Sequence, residues 1–292
     1  MKNLRNSLLE LIRKTSTELP EDVQKAVAKG TLQEENQSRA KYALEVIQEN
    51  IQIAFDTSLP LCQDTGTITF YVHGPVGFDQ LLFLKEAKKA VAEATKVGYL
   101  RQNSVDSITG NNSGDNIGPG TPVFHFNQWK KKAVEVKLIL KGGGCENVSA
   151  QYSLPDNRLK AGRDLNGVQK AALDAVFQAQ GKGCGPGILG ICIGGDRATG
   201  YEHAKLQFLR TMEDHSNDPE LEKLEKNVLE MGNQLGIGPM GFGGKTTLLS
   251  VKASKLNRLP ASFFVSISYM CWAFRRQGIT LDPKGFIRKW IY

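Results

Sequence analysis

The stretch Gly181–Asp196, "GKGCGPGILGICIGGD", decides the fold class. Its centre, Ile188 to Ile193, is a short apolar run with glycine-rich segments on both sides. That pattern reads as a loop, a buried strand and a glycine turn. A helical pattern over about 164–180 leads into it, and two more, roughly 198–212 and 218–235, follow it. The remainder is mostly strand: "TTLLSVKAS", "SFFVSISYM" and the terminal "GFIRKWIY". Helices and strands mixed in this way, with strands running into glycine-rich loops, predict an α+β fold.

Upstream, the first sixty residues read as helix. Leu4, Leu8, Leu11 and Ile12 line one face over 3–18, a short piece follows Pro20, and Ala43, Leu44, Ile47, Ile51 and Ala54 line a longer one near 33–56. A strand "TITFYVHG" and a helix near 79–97 come next. Residues 101–121, "RQNSVDSITGNNSGDNIGPGT", lose all hydrophobic periodicity, and a loop of that length in a compact domain is functional or disordered. Two strands follow, "PVFHFN" and "AVEVKLIL", the second ending in "KGGGCEN". Without repeats or low-complexity linkers, residues 1–292 are expected to form a single domain. In it a helical N-terminal region, a cap over about 1–60, packs on a mixed sheet with glycine-rich functional loops.

Composition excludes several function classes. The chain has 292 residues, 40% hydrophobic and 23% charged, as a soluble globular protein does. Its net charge of +7 is spread along the chain, and the short run Lys130–Lys132 reads as a solvated turn, so no nucleic-acid partner is expected. A basic balance suits small acidic substrates equally well. The N-terminus lacks the apolar core of a signal peptide, and no window reaches the roughly 18 apolar residues of a membrane span. No membrane association and a cytoplasmic location are the corresponding expectations.

Five cysteines, odd in number and far apart, disfavour a disulfide framework and leave buried thiols or metal ligands. No C-x-x-C pair marks a zinc ribbon or a ferredoxin-type cluster. Cys62 in "LCQDTGT", Cys184 in "GKGCGPG" and Cys271 before "WAFRR" each sit where a strand or helix gives way to a turn. Cys192 lies within the apolar run and reads as core. Cys145 follows three glycines whose N–H groups can approach an anion, so it is expected near a bound carboxylate without being a ligand. Asp64 alone reads as a turn cap. The stretch "GIGPMGFGGKTT" fails the P-loop pattern at Pro239, which removes nucleotide-dependent chemistry. His73, His125, His203 and His215 lie on strand or helix patterns and read as structural or exposed.

Six ordered segments carry a resemblance: "PLCQDTG", "LRQNSVDSITGNNSGDN", "KGGGCEN", "GKGCGPGILGICIGG", "LGIGPMGFGG" and "VSISYMCWAFRR". From about residue 5 to 280 the chain resembles the α-subunit of two-subunit class I fumarases and L-tartrate dehydratases, an iron-sulfur hydro-lyase family. The resemblance implies a [4Fe-4S] cluster held by Cys62, Cys184 and Cys271, with one iron left open as a Lewis acid for reversible hydration of fumarate to malate. It implies a small dicarboxylic acid as substrate, Gln63, Arg101 and Gly144 in contact with it, and Asp64 as the catalytic residue that relays a proton or orients the reacting hydroxyl. Asn111, Asn112, Gly114, Asp115 and Asn116 either line the pocket or order their loop.

The single-chain members carry a second domain with further substrate-binding arginines, a lysine and a catalytic threonine, which have no counterpart here. A separate β-subunit is therefore expected, with αβ pairs assembled into a dimer. Two positions depart from the pattern: Gly185-Pro186 stands where many members have Pro-Pro, and Leu259 is nearest the place of a histidine that many fumarases carry. The second departure leaves L-tartrate dehydratase and mesaconate hydratase open as alternatives. A non-catalytic scaffold or regulatory subunit is the reading from another class.

Overall fold

In the computed structural model, which describes residues 3–292, "GILGICI" forms a strand whose seven residues are all buried. Helices and strands follow one another in the order α1 (Leu4–Thr17), α2 (Glu21–Gln33), α3 (Arg39–Thr57), β1 (Thr67–Pro75), α4 (Gln80–Lys96) and β2 (Val123–Trp129). Next come β3 (Val134–Lys141), a one-turn α5 (Gly143–Asn147), β4 (Ala150–Ser153), α6 (Leu165–Ala179), β5 (Gly187–Ile193) and α7 (Arg197–Leu206). The chain finishes with α8 (Pro219–Gln234), β6 (Leu248–Lys255), β7 (Phe264–Met270), β8 (Arg275–Leu281) and β9 (Ile287–Trp290). Both sheets are mixed, so the α+β expectation holds.

The chain forms two compact units, the first from Met1–Glu21, Glu49–Gly143 and Ala273–Tyr292, the second from Asp22–Gln48 and Gly144–Trp272. Residues 1–60 are accordingly shared: α1 lies in the first unit, nearly all of α2 in the second, and α3 contributes to both. Among the described residues no helix is long and apolar enough to cross a membrane.

The first unit is built on a five-stranded sheet of order β2-β1-β3-β8-β9, in which β1 and β2 are parallel and the other pairs antiparallel. One face is covered by α1 and α4. The predicted stripe Leu4, Leu8, Leu11 and Ile12 is buried to 1% or less, and packs with Phe70, Phe83, Leu138 and Ile279 in one cluster. Each such side chain contributes about 1.5–3 kcal/mol relative to exposure. Asp79 starts α4 by accepting the Leu82 N–H at 2.9 Å, which satisfies one of the helix's orphan donors.

The second unit has a four-stranded sheet of order β4-β7-β5-β6, with β5 and β6 parallel and the other pairs antiparallel. The central place of β5 explains its continuous apolar run: both of its faces are covered. Leu189, Ile191 and Ile193 pack with the small-residue face of α6, Val168, Ala172 and Ala175, and with α8. On the opposite face α7 comes so close that a Cβ on Gly190 would stand 2.1 Å from the Ala204 carbonyl oxygen. Asp164, Asp196 and Asp218 cap the N-termini of α6, α7 and α8.

Candidate active site

The first unit holds the turn after α3. Leu61 is anchored there by its N–H, which donates to Ser16 O at 2.9 Å, and by its carbonyl, which accepts from Asn50 Nδ2 at 3.1 Å. Five residues on, Gly66 has φ of +75° and runs so close to the end of β3 that a Cβ would meet Lys141 O at 2.3 Å. Only glycine fits both conditions. Between these anchors Cys62 is half-buried, Gln63 exposed and Asp64 half-buried. Both Asp64 oxygens are engaged: Oδ2 accepts the Gly143 N–H at 2.7 Å and Oδ1 accepts Asn103 Nδ2 at 2.6 Å. Asp64 is thus held by partners distant in sequence.

Thr65, 1% exposed, locks this turn to the start of the polar loop, its hydroxyl donating to Arg101 O at 2.8 Å and accepting the Arg101 N–H at 2.9 Å. The buried Asn116 repeats the device. Its amide donates to Arg101 O at 2.8 Å and to Thr95 Oγ1 at 2.9 Å, while its oxygen accepts the Asn103 N–H at 2.8 Å. Arg101 is therefore fixed by its backbone, and its exposed guanidinium makes no hydrogen bond or ion pair among the described residues. A guanidinium in this state is a donor fork open to a carboxylate.

Residues 101–121 have neither helix nor strand, yet they are tied together by their own side chains. Asp106 accepts from Ile108, Thr109 and the Thr109 hydroxyl, bonds that hold its carboxyl below the usual range. Asn112 accepts the Gly114 N–H and Asp115 the Ile117 N–H. Asn112, Asp115 and Asn116 thus order the loop. No side-chain bond of that kind is formed by Asn111 among the described residues.

In the second unit Gly144 is exposed, with open space except for Lys182 O 3.7 Å from where a Cβ would stand. Cys145 beside it is buried. Cys184 is exposed, in a left-handed conformation of φ 51° and ψ 54°, and its carbonyl accepts the N–H of Trp272, the residue after Cys271, at 3.5 Å. Tyr269 lies among these residues: burial raises its phenol well above the usual range, and the Cys271, Cys145 and Cys184 sulfurs add to the effect. Sequence reasoning missed Tyr269, whose alternation within an apolar strand marks it only as core. Thr65 and Asn103 were equally hidden, because their partners are far away in sequence.

Cys192 is fully buried and burial pushes its thiol up, as a core residue requires. Leu259 is exposed in the turn between β6 and β7. The glycine segment that failed the P-loop pattern has a different use: the buried Glu34 carboxylate accepts the Lys245 and Thr246 N–H groups at 2.9 and 2.7 Å. An internal anion occupies the cradle.

The donor chemistry suits an iron-sulfur cluster, since none of the five cysteines is in a disulfide and thiolates are the ligands such clusters take. Cys184 and Cys271 are brought together within the second unit, while Cys62 belongs to the first. Among the described residues no group of three or more His, Cys, Asp or Glu side chains is gathered for a metal ion.

The chain is thus an α+β protein whose first unit carries the Asp64 carboxylate and the open Arg101 guanidinium on one hydrogen-bonded framework, and whose second unit carries Cys184 and Cys271 on turns. The family model for fumarate hydratase (fumerase) matches residues 5–280, and the chain belongs to that family. It is 52% identical over its whole length to a Geobacillus stearothermophilus protein assigned as a class I fumarate hydratase, and covers 58% of that protein. It is 36% identical to a Methanocaldococcus jannaschii protein assigned as the α-subunit of L(+)-tartrate dehydratase, over 95% of this chain and 98% of the other. The L(+)-tartrate dehydratase α-subunit of Escherichia coli is 30% identical over 93% and 89%.

Proposed function

We propose that the chain is the α-subunit of a [4Fe-4S]-dependent hydro-lyase that hydrates fumarate reversibly to malate in the cytoplasm, with Cys62, Cys184 and Cys271 as cluster ligands. One observation carries the reading: Arg101 and Asp64, the latter two residues after Cys62, stand on a single framework made by Thr65, Asn103 and Asn116. When bound, the cluster supplies an open iron that acts as Lewis acid toward the substrate's carboxylate and hydroxyl oxygens.

The chain's own groups do the rest. The Arg101 fork binds a carboxylate of the diacid in two-point geometry. Gln63 offers an exposed amide to a second oxygen, and the exposed Gly144 lets the substrate approach the backbone without meeting a Cβ. Asp64 holds or passes the proton that leaves the carbon next to the C–O bond, oriented by Asn103 and Gly143. The remaining substrate contacts are assigned to a separate β-subunit, a reading supported by the 58% coverage of the Geobacillus protein and by the α-subunit names of the other relatives. The αβ pairs are taken to form a dimer.

A second reading, L-tartrate dehydratase, has specific support in Leu259, where many fumarases have histidine, and in the tartrate dehydratase names of relatives matched along most of their length. The deciding experiment is anaerobic purification with the β-subunit, iron determination, and assays on fumarate, L-tartrate and mesaconate. About four irons per chain and turnover of fumarate are expected. Loss of iron in Cys62→Ser, Cys184→Ser and Cys271→Ser, with retention in Cys192→Ser, is the matching ligand test. A colourless, iron-free complex after reconstitution would remove the cluster, and an iron-loaded but inert complex would leave a scaffold.

A further inference from the structure

Tyr269 has a neighbourhood that the hydro-lyase reading does not use. It lies two residues before Cys271 on β7, 3% exposed, and pairs in register with Leu189 of β5. Its ring runs beneath the loop that joins α6 to β5. A Cβ on Gly183 would stand 2.5 Å from the ring's Cε1, and one on Gly187 would stand 2.4 Å from Cζ and from the hydroxyl oxygen. No real Cβ contact is that short, so the ring touches the bare Cα atoms of both glycines. Neither glycine has a positive φ. Their identity is set by the ring rather than by the backbone.

Cys184 stands between these two contacts in a left-handed conformation, which costs a non-glycine residue about 1–2 kcal/mol and persists only where its surroundings impose it. The loop's other ties are consistent with an imposed shape: Met240 N–H donates to Gly185 O at 3.0 Å and Gly187 N–H to Thr247 O at 2.8 Å. With Gly183 and Gly187 turned toward the ring, Cys184 is the residue left facing outward, exposed. The Tyr269 hydroxyl forms no hydrogen bond among the described residues, so the ring's surface does the holding.

We propose that Tyr269 is a positioning residue: its ring, wedged under Gly183–Gly187, fixes the place of the Cys184 sulfur relative to Cys271 on the same strand end. The functional consequence rests on the reading of Cys184 and Cys271 as cluster ligands. The structural part stands without it.

The test uses the full chain, first as the reduced, metal-free protein and then reconstituted anaerobically with its β-subunit. In the metal-free protein, iodoacetamide labelling of Cys184 is followed by peptide mass spectrometry, with the buried Cys192 as the control for an intact fold. Tyr269→Phe is expected to keep the wild-type labelling rate and iron content. Tyr269→Leu is expected to raise the Cys184 rate several-fold, with Cys192 still protected, and to lose iron. Gly183→Ala, which adds one methyl against the ring, should reproduce both effects and keeps the test open if the leucine variant unfolds. Wild-type labelling in Tyr269→Leu and Gly183→Ala would overturn the proposal, as would a phenylalanine variant as damaged as the leucine one. An iron-free wild-type complex would defeat the cluster reading alone, because the labelling arm still decides the positioning.

Discussion

Thr65 and Arg101 are joined by a reciprocal pair of hydrogen bonds: the Thr65 hydroxyl donates to the Arg101 carbonyl and accepts the Arg101 N–H, at 2.8 and 2.9 Å. A single buried hydroxyl thereby fixes the backbone from which the open guanidinium extends. Thr65→Val keeps the shape and removes both bonds, leaving the Arg101 N–H without its partner at a cost of about 1–3 kcal/mol in urea unfolding. If the proposed function holds, KM for the diacid in the anaerobic complex should rise more than kcat falls, with iron content unchanged. An unaltered KM would show that the framework does not position Arg101.

Asp64→Asn tests whether the carboxylate does chemistry or only organises the turn. The amide offers one acceptor oxygen where Gly143 and Asn103 now use two. Loss of general acid–base function lowers kcat by about 10²–10⁴-fold, whereas a turn cap alone costs about 1 kcal/mol of stability and little rate. Steady-state kinetics at full iron loading, beside thermal unfolding of the same sample, separate the two.

Glu34→Ala empties the cradle at Lys245 and Thr246. Two N–H groups then lose a charged acceptor, and the loss should reach at least about 2 kcal/mol in chemical denaturation, more than for an exposed glutamate elsewhere. A change within error would mean that solvent replaces the carboxylate freely.

A pH dependence follows from Asp174, whose carboxyl is held below its ordinary value first by the Arg158 hydrogen bond and then by Tyr152 and Gln178, against the opposing effect of burial. A depressed folded-state pKa means that the unfolded chain binds the proton more readily. The contribution is therefore complete above the unfolded value of about 3.9, and is lost as pH falls through the lower folded value. Asp174→Asn should flatten the acid limb of the stability–pH curve below about pH 4 while leaving activity near neutrality intact. Because Arg158 is largely exposed, salt should weaken the effect.

Much of the fold was legible because its signals are local. The 3.6-residue stripe of α1 and the apolar run of β5 each report an environment through a few adjacent residues. Strand β8 was not legible. "RRQGITL" reads as polar, yet Arg275 and Arg276 are 1% and 0% exposed in the interior of a sheet. Arg276 is accommodated by stacking between Phe274 and Tyr292, at 4.4 and 4.5 Å from the ring centres, which no periodicity announces. The four-residue β4 was missed for want of length.

The sequence by itself determined the α+β class, the family, and the turns that carry Cys62, Asp64, Cys184 and Cys271, since motifs and short-range patterns are properties of neighbouring residues. Only the tertiary structure decided that Asp64 binds Gly143 and Asn103, that Thr65 secures Arg101, and that Tyr269 lies under the Cys184 loop. These are contacts across long separations in the chain, fixed by sheet register and by where a missing Cβ lets two segments touch.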